Sequence, residues 1–243
     1  MRIVSLSPSF TEILQALGQH ENLAGVTDEC PQGLTRPVRL GAPNALRLSE
    51  IKKLSPELIL TERRENRPEE IREIEKEFKV RVLDVTSIPS VIAAISETGK
   101  WTQSEEAAKE LIRRIYQEWP APSLTPVKTA VLIWNNPITT VSSRHYISNL
   151  IEAAGGWNLY REDPVAEVAI ELEEMMDLAP EVLLLPSSPY SFAGKDAEAF
   201  KNFPVFHQKK VELIDGVLFS RFGPRTVEAL KLLKSIFAGI RRG

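Results

Sequence analysis

The chain has 243 residues, 43% of them hydrophobic and 26% charged, with a formal net charge of −3. That balance suits a soluble protein of one large or two small domains, and the absence of a basic stripe argues against an electrostatic nucleic-acid binder. No apolar run approaches the 18 or so residues that a membrane span requires, and a single cysteine, Cys30, excludes an internal disulfide.

The predicted elements alternate between strand and helix. Residues 3–7 read as a buried strand. Ser9, with Glu12 three positions on, forms a capping-box pattern that opens a helix closing on Gly18. A strand at 23–27 leads into a loop at 28–37 that carries Cys30. Helix 48–54, strand 57–61, a charged helix 68–78 opened by proline, strand 80–85 and helix 88–100 complete the first half. An amphipathic helix over 102–119 follows, with Ala107, Ala108, Leu111, Ile112, Ile115 and Trp119 on one stripe. Thr102 or Ser104 caps it, Pro120 and Pro122 end it, and at 1.5 Å per residue it spans roughly 27 Å. The second half predicts a strand at 128–134, a loop at 135–141 and a helix at 143–154 stopped by Gly155-Gly156. Helix 172–178, strand 181–185, a short helix 196–203, strand 211–215 and helix 224–237 close the chain.

The two halves resemble each other. LSEIKKLSPELIL (48–60) aligns with LEEMMDLAPEVLL (172–184), at an offset of about 124 residues, as a helix, a Pro-Glu turn and an apolar strand. Strand 80–85 matches strand 211–215, and the helix ending at Gly18 matches the one ending at Gly155. The expected fold is therefore α/β: two similar lobes with mainly parallel sheets, residues 1–101 and 121–243, joined by a single long helix over 102–120. Parallel sheets bind ligands beyond the carboxyl ends of their strands. Those ends are the loops near 7–9, 28–33, 41–44, 62–66, 135–142, 186–192 and 216–222, which line one cleft if the lobes face each other.

The residues in these loops favour binding over catalysis. His20, His145 and His207 show no metal-ligand spacing, so no metal site and no cofactor are expected. There is no nucleophile elbow, no phosphate-binding loop and no assignable Ser-His-Asp set, so neither a catalytic residue nor an enzymatic activity is expected. Trp134, Tyr190, Phe192, Phe219 and Phe222 fall at or just past predicted strand ends, with Arg221 among them. Aromatics beside one fixed cation suit a large, partly apolar, anionic ligand. In the first lobe the loop-borne candidates are Cys30, Asn44, Glu62 and Arg63.

RIVSLSPSxTEILxALG (2–18) with LAGVT (23–27) resembles the opening of the class III substrate-binding proteins of ABC importers. LSPELIL (54–60), AGGxN (154–158) and GPRxxEAL (223–230) resemble later signatures of the same family, so the likeness spreads over nearly the whole chain. It is nearest to the periplasmic cobalamin-binding members. The resemblance implies two α/β lobes on a helical backbone and capture of a metal chelate (a corrinoid, haem or ferric siderophore) between them. It implies a monomer that hands its small-molecule ligand to an ABC permease. Docking onto the permease would use acidic residues: Glu69 or Glu70 in the first lobe and Glu198 in the second. Departures bear on the ligand. Glu62 and Arg63 stand where relatives carry tryptophan, an aromatic near Pro43-Asn44 is missing, and Asp28-Glu29-Cys30 replaces a tyrosine-bearing loop. Arg221 matches a pocket arginine, whereas Val217 replaces an acidic residue.

The family implies a periplasmic or other extracytoplasmic location. The opening MRIVSLSPS has no signal-peptide pattern, so the chain as written is expected in the cytoplasm, although a chain relieved of its signal would read the same. The alternatives are a cytoplasmic tetrapyrrole- or metal-handling enzyme or chaperone, with Cys30 and Glu62 as its titratable groups, and a cytosolic ligand sensor on the same scaffold.

Overall fold

The structure is a computed structural model that describes residues 1–120 and 123–242. Pro122, expected to help end the linking helix, lies outside the described residues. The chain divides into two compact units, Met1–Val85 with Pro89–Arg113, and Thr86–Ile88 with the chain from Arg114 onward.

The first unit is built on strands β1 (Ile3–Ser5), β2 (Leu23–Val26), β3 (Val38–Arg39), β4 (Gly41–Ala42), β5 (Ala45–Leu46), β6 (Leu58–Glu62) and β7 (Val80–Leu83). Its helices are α1 (Pro8–Ala16), α2 (Leu48–Leu54), α3 (Pro68–Glu75) and α4 (Ile88–Thr102), followed by α5 (Glu105–Glu118), which the unit boundary divides. The main sheet runs β3-β2-β1-β6-β7 and is parallel throughout; β4 and β5 form a small antiparallel hairpin. Ile3, Val4, Leu58, Ile59 and Leu60 are buried, as continuous apolar runs are in a sheet covered on both faces. Their core includes Leu40, Ile51, Ile71 and Ile74 from the surrounding segments.

The helix starts refine the sequence reading. Ser7, not Ser9, holds the N-cap position of α1, because Pro8 already occupies the first turn and the Ser7 carbonyl accepts the Thr11 N–H at 3.0 Å. The expected helix over 102–119 begins later. Thr102 closes α4, its hydroxyl donating to the Thr98 carbonyl at 2.7 Å, and Gln103 breaks the helix at φ 55°. Ser104 then accepts the Ala108 N–H and opens α5, whose 14 residues span about 21 Å. Gly99 lets α4 and α5 pack closely, since a Cβ there would lie 2.6 Å from that of Ala108.

The second unit contains β8 (Val127–Val131), β9 (Trp134–Asn135), β10 (Ile138–Val141), β11 (Gly156–Asn158), β12 (Glu167–Ala169), β13 (Val182–Pro186) and β14 (Lys210–Ile214). Its helices are α6 (Tyr146–Ala153), α7 (Leu172–Asp177), α8 (Gly194–Lys201), α9 (Gly216–Ser220) and α10 (Pro224–Arg241). A parallel sheet runs β11-β8-β13-β14, and a second, antiparallel sheet runs β12-β10-β9. The expected loop at 135–141 is therefore largely a hairpin, turned at Asn136 and the cis Pro137. The short β11, β12 and α9 escaped the sequence reading.

The repeat extends to topology. Within β2-β1-β6-β7 and within β11-β8-β13-β14, the strand earliest in the chain lies inside, the next of the four stands on one side of it, and the last two extend the other. Glu118 at the end of α5 pairs with Lys234 of α10, and this ammonium holds its carboxyl below the usual carboxylate range. The second core gathers Ala130, Leu132, Leu183 and Leu185 of the sheet with Met175, Phe200 and Phe206 of the flanking segments.

Candidate functional site

At the carboxyl ends of the first sheet lies a buried polar network. Ser5, Ser7, Thr11, Thr27 and Cys30 are all between 0 and 1% exposed. The Thr11 hydroxyl lies 2.8 Å from Ser5 Oγ, 3.0 Å from the Ser7 carbonyl and 3.1 Å from Cys30 Sγ, and Thr27 Oγ1 approaches the same sulfur at 3.2 Å. Cys30, expected as a loop-borne ligand contact, is thus an interior thiol. Burial pushes its pKa above the ordinary value, and the two threonine contacts only partly oppose that.

Arg39, which the sequence reading passed over, holds the loop in place. Its Nη1 donates to the carbonyls of Thr27 at 3.0 Å and Cys30 at 3.1 Å, and its Nη2 to that of Pro31 at 2.9 Å. A half-buried guanidinium with three carbonyl acceptors fixes backbone geometry in a way that no motif announces.

Glu62 ends β6 and is 5% exposed. Its Oε2 accepts the Arg64 N–H at 2.8 Å, which fixes the carboxylate against the following turn. Arg64 in turn donates to the Val85 carbonyl at 2.9 Å. Buried Asn66 bonds Thr61 and donates to the Pro43 carbonyl at 2.8 Å. Of the first-unit candidates only Asn44 and Arg63 reach the surface, and Arg63 lies 3.5 Å from Asp84. A hollow of about 250 Å³ beside Glu62, Arg63 and Arg72 marks this end of the unit.

The second unit presents aromatic chemistry. Trp134, at the start of β9, is 44% exposed. Its ring meets Tyr190 edge-on at 5.7 Å, and Tyr190 meets Phe192 at 4.7 Å. The three form a ladder from surface to core, with Tyr190 half-buried and Phe192 3% exposed. The hairpin braces it: Trp134 Nε1 donates to the Asn136 carbonyl at 3.1 Å, and the Asn135 amide donates to the Tyr190 hydroxyl at 3.4 Å. Phe192 and Phe219, expected to face a ligand, are core residues, Phe219 being fully buried. Amphipathic period cannot separate an aromatic that caps a core from one that faces out when both lie in irregular loops. Arg221, half-buried, caps the end of α9. Phe222 packs on Tyr146, whose hydroxyl meets Thr226 Oγ1 at 2.7 Å; burial drives the Tyr146 pKa well above the tyrosine range. His145 resolves as a helix cap, its Nδ1 accepting the Ile147 N–H at 3.2 Å.

The acidic residues separate as well. Glu69 is exposed, whereas Glu70 accepts the Leu46 N–H at 3.2 Å and keeps its other oxygen buried. Glu198 is exposed and pairs with Lys201 at 3.0 Å along α8. Among the described residues no cluster of three or more His, Cys, Asp or Glu could hold a metal ion.

A sequence model for the periplasmic binding protein family matches residues 3–210, most of the chain. The chain belongs to that family. Members bind small-molecule ligands and deliver them to ABC permeases. The vitamin B12-binding protein of Photorhabdus laumondii is 26% identical over 96% of this chain and 86% of its own length. The periplasmic vitamin B12 binding protein of Vibrio cholerae superposes with a TM-score of 0.80 at 19% identity, covering 100% of this chain and 98% of the other. A periplasmic haem-binding protein of a Roseiflexus species gives 0.82 at 22% identity, covering 98% of each chain. A possible iron-binding periplasmic solute-binding protein of Staphylococcus epidermidis gives 0.80 at 25%, over 96% of this chain and 97% of its own. The α/β architecture with parallel sheets is therefore that of the two-lobe periplasmic binding proteins. These relatives lend no support to a cytoplasmic enzyme or chaperone. No helix among the described residues is long and apolar enough to cross a membrane.

Proposed function

We propose that this member of the family is an exported, monomeric substrate-binding protein that captures a metal chelate, a corrinoid, haem or ferric siderophore, for ABC import. The observation that carries the ligand class is the Trp134–Tyr190–Phe192 ladder. It offers an exposed, preorganised aromatic edge at the carboxyl end of the second sheet, backed by the core rather than by mobile chain. Arg221 supplies the positive charge for a carboxylate or phosphate on the chelate. The relatives' names support the class: they include vitamin B12-binding, haem-binding and possible iron-binding proteins.

On the first unit, Asn44 and Arg63 are the candidate contacts at the surface, while Glu62 and Cys30 are buried. Neither surface candidate is aromatic, which favours a chelate with polar or charged edges. Glu69 and Glu198 are the docking residues toward the permease. Glu70 serves the first unit's own backbone.

Titration of the protein with cobalamin, cobinamide, haem and ferric siderophores, followed by visible absorbance, tests the reading. One class should bind at micromolar concentration or tighter. Failure of all of them at that level would sink it.

A further inference from the structure

Residues 221–223 join α9 to α10, and bonds at both ends hold them. On the α9 side the Arg221 N–H donates to the Val217 carbonyl at 3.2 Å. On the α10 side Gly223 and Thr226 bond reciprocally. The Gly223 N–H donates to Thr226 Oγ1 at 3.1 Å, and the Thr226 N–H donates to the Gly223 carbonyl at 3.1 Å. Gly223 sits at φ 98°, in the region that favours glycine, and this pair of bonds holds the chain in that reversal.

Tyr146, the first residue of α6, grips the same turn from 80 positions away. Its hydroxyl lies 2.7 Å from Thr226 Oγ1, and its ring meets Phe222 edge-on at 6.3 Å. Tyr146, Phe222 and Thr226 are between 0 and 4% exposed, so losing either hydroxyl strips its partner of a bond that water does not replace. Arg221 has extended backbone, φ −103° and ψ 124°, and side chains on extended backbone alternate between faces. With Phe222 seated in the core, Arg221 is turned the other way and stays half-buried.

We propose that Tyr146 and Thr226 are positioning residues: their hydroxyl pair fixes the 221–223 turn and thereby the direction of Arg221, which selects a ligand with an anionic edge. The selection rests on the function proposed above; the hold on the turn does not.

Tyr146→Phe removes one hydroxyl and keeps the ring against Phe222. Thr226→Val removes the other, together with the acceptor of the Gly223 N–H, whereas Thr226→Ser keeps both. In NMR spectra of the full chain, Tyr146→Phe should speed amide exchange at Gly223 by about 5-fold, the worth of one hydrogen bond, and shift the Arg221 Nε–H resonance, which Arg221→Lys assigns. Thr226→Val should do the same, and Thr226→Ser should stay at the parent values. Unchanged exchange and an unmoved Arg221 resonance in Tyr146→Phe overturn the proposal.

Haem against its dimethyl ester, and cobyrinic acid against its heptamethyl ester, read the selection by visible absorbance. The parent should favour the acid of the pair that binds by about 10-fold, the worth of a charge-assisted bond. Tyr146→Phe should cut that preference to about 3-fold or less and leave the ester within about 2-fold of its parent affinity. A merely structural role would weaken acid and ester alike; that result, or a parent without preference, overturns the selection. If the exchange and the Arg221 resonance change as expected and no chelate binds, the hold on the turn stands and the chelate reading falls.

Discussion

The two units share a strand order and differ at the carboxyl ends of their strands. The first closes the carboxyl ends of its strands with hydroxyls, a thiol and amides that bond one another inside the protein. The second closes its own with a graded aromatic ladder that emerges at Trp134. A duplicated topology thus carries two unlike surfaces, one a rigid polar wall and the other an apolar platform. The difference teaches that sheet order is set by the apolar strands, which both halves keep, while the loops between them vary at little cost to the core.

The sharpest way to break this comparison is at Gly216, where the second unit's strand-end loop is packed backbone to backbone. A Cβ at Gly216 would lie 2.1 Å from Ser188 N and 2.7 Å from its Cα. Neither neighbour is the far end of a flexible side chain. Gly216→Ala should cost about 3 kcal/mol, read as a lowered urea midpoint with unchanged slope. An unchanged midpoint would mean that the 187–192 loop is free to move, and the aromatic platform would lose its claim to preorganisation.

Next in size is Trp134→Ala. An exposed aromatic anchor is worth about 2 kcal/mol of binding, some 30-fold in Kd, with no loss of folding stability beyond a few tenths of a kcal/mol. Titration of the tightest chelate measures it. A variant that binds as well as the parent would shift recognition to Asn44 and Arg63 on the first unit and invert the division of labour.

Much of the scaffold was legible because it is written in apolar runs of distinct period. Helix α2 was placed at its observed limits, 48–54, and the alignment of 48–60 with 172–184 pairs α2 and β6 with α7 and β13. What was missed is short. Strand β9 has only Trp134 and Asn135, and β11 opens at a Gly pair that read as a helix stop. Helix α9 hides behind Asp215-Gly216, a turn signal in isolation but here a helix start, because the Asp215 carboxylate accepts the Val217 N–H at 2.9 Å. That aromatics fall near the strand ends of the second unit was legible, but not their order of burial. That order depends on which ring the hairpin braces, a contact between Asn135 and Tyr190 across 55 positions of sequence. Arg39 was invisible for the same reason: its acceptors are backbone carbonyls, which leave no residue signature.

A change of similar size sharpens the polar side. Arg39→Ala removes three charge-assisted bonds to the 27–31 loop, at a cost of about 2 kcal/mol in stability. Its informative readout is Cys30. In the parent protein a buried thiol with a raised pKa should react with a disulfide reagent at pH 8 at least 100-fold more slowly than in the unfolded chain. Because folding raises this pKa, the thiol's contribution to stability is present below the ordinary thiol range and lost as pH rises through it. Arg39→Ala should open the loop, speed Cys30 labelling severalfold and flatten that alkaline loss, while leaving Trp134 fluorescence and its response to chelate unchanged. Rapid labelling of the parent would show that the first unit's wall opens on its own. Its lack of aromatics would then reflect a mobile loop rather than a fixed polar surface, and the contrast between the two units would be one of dynamics.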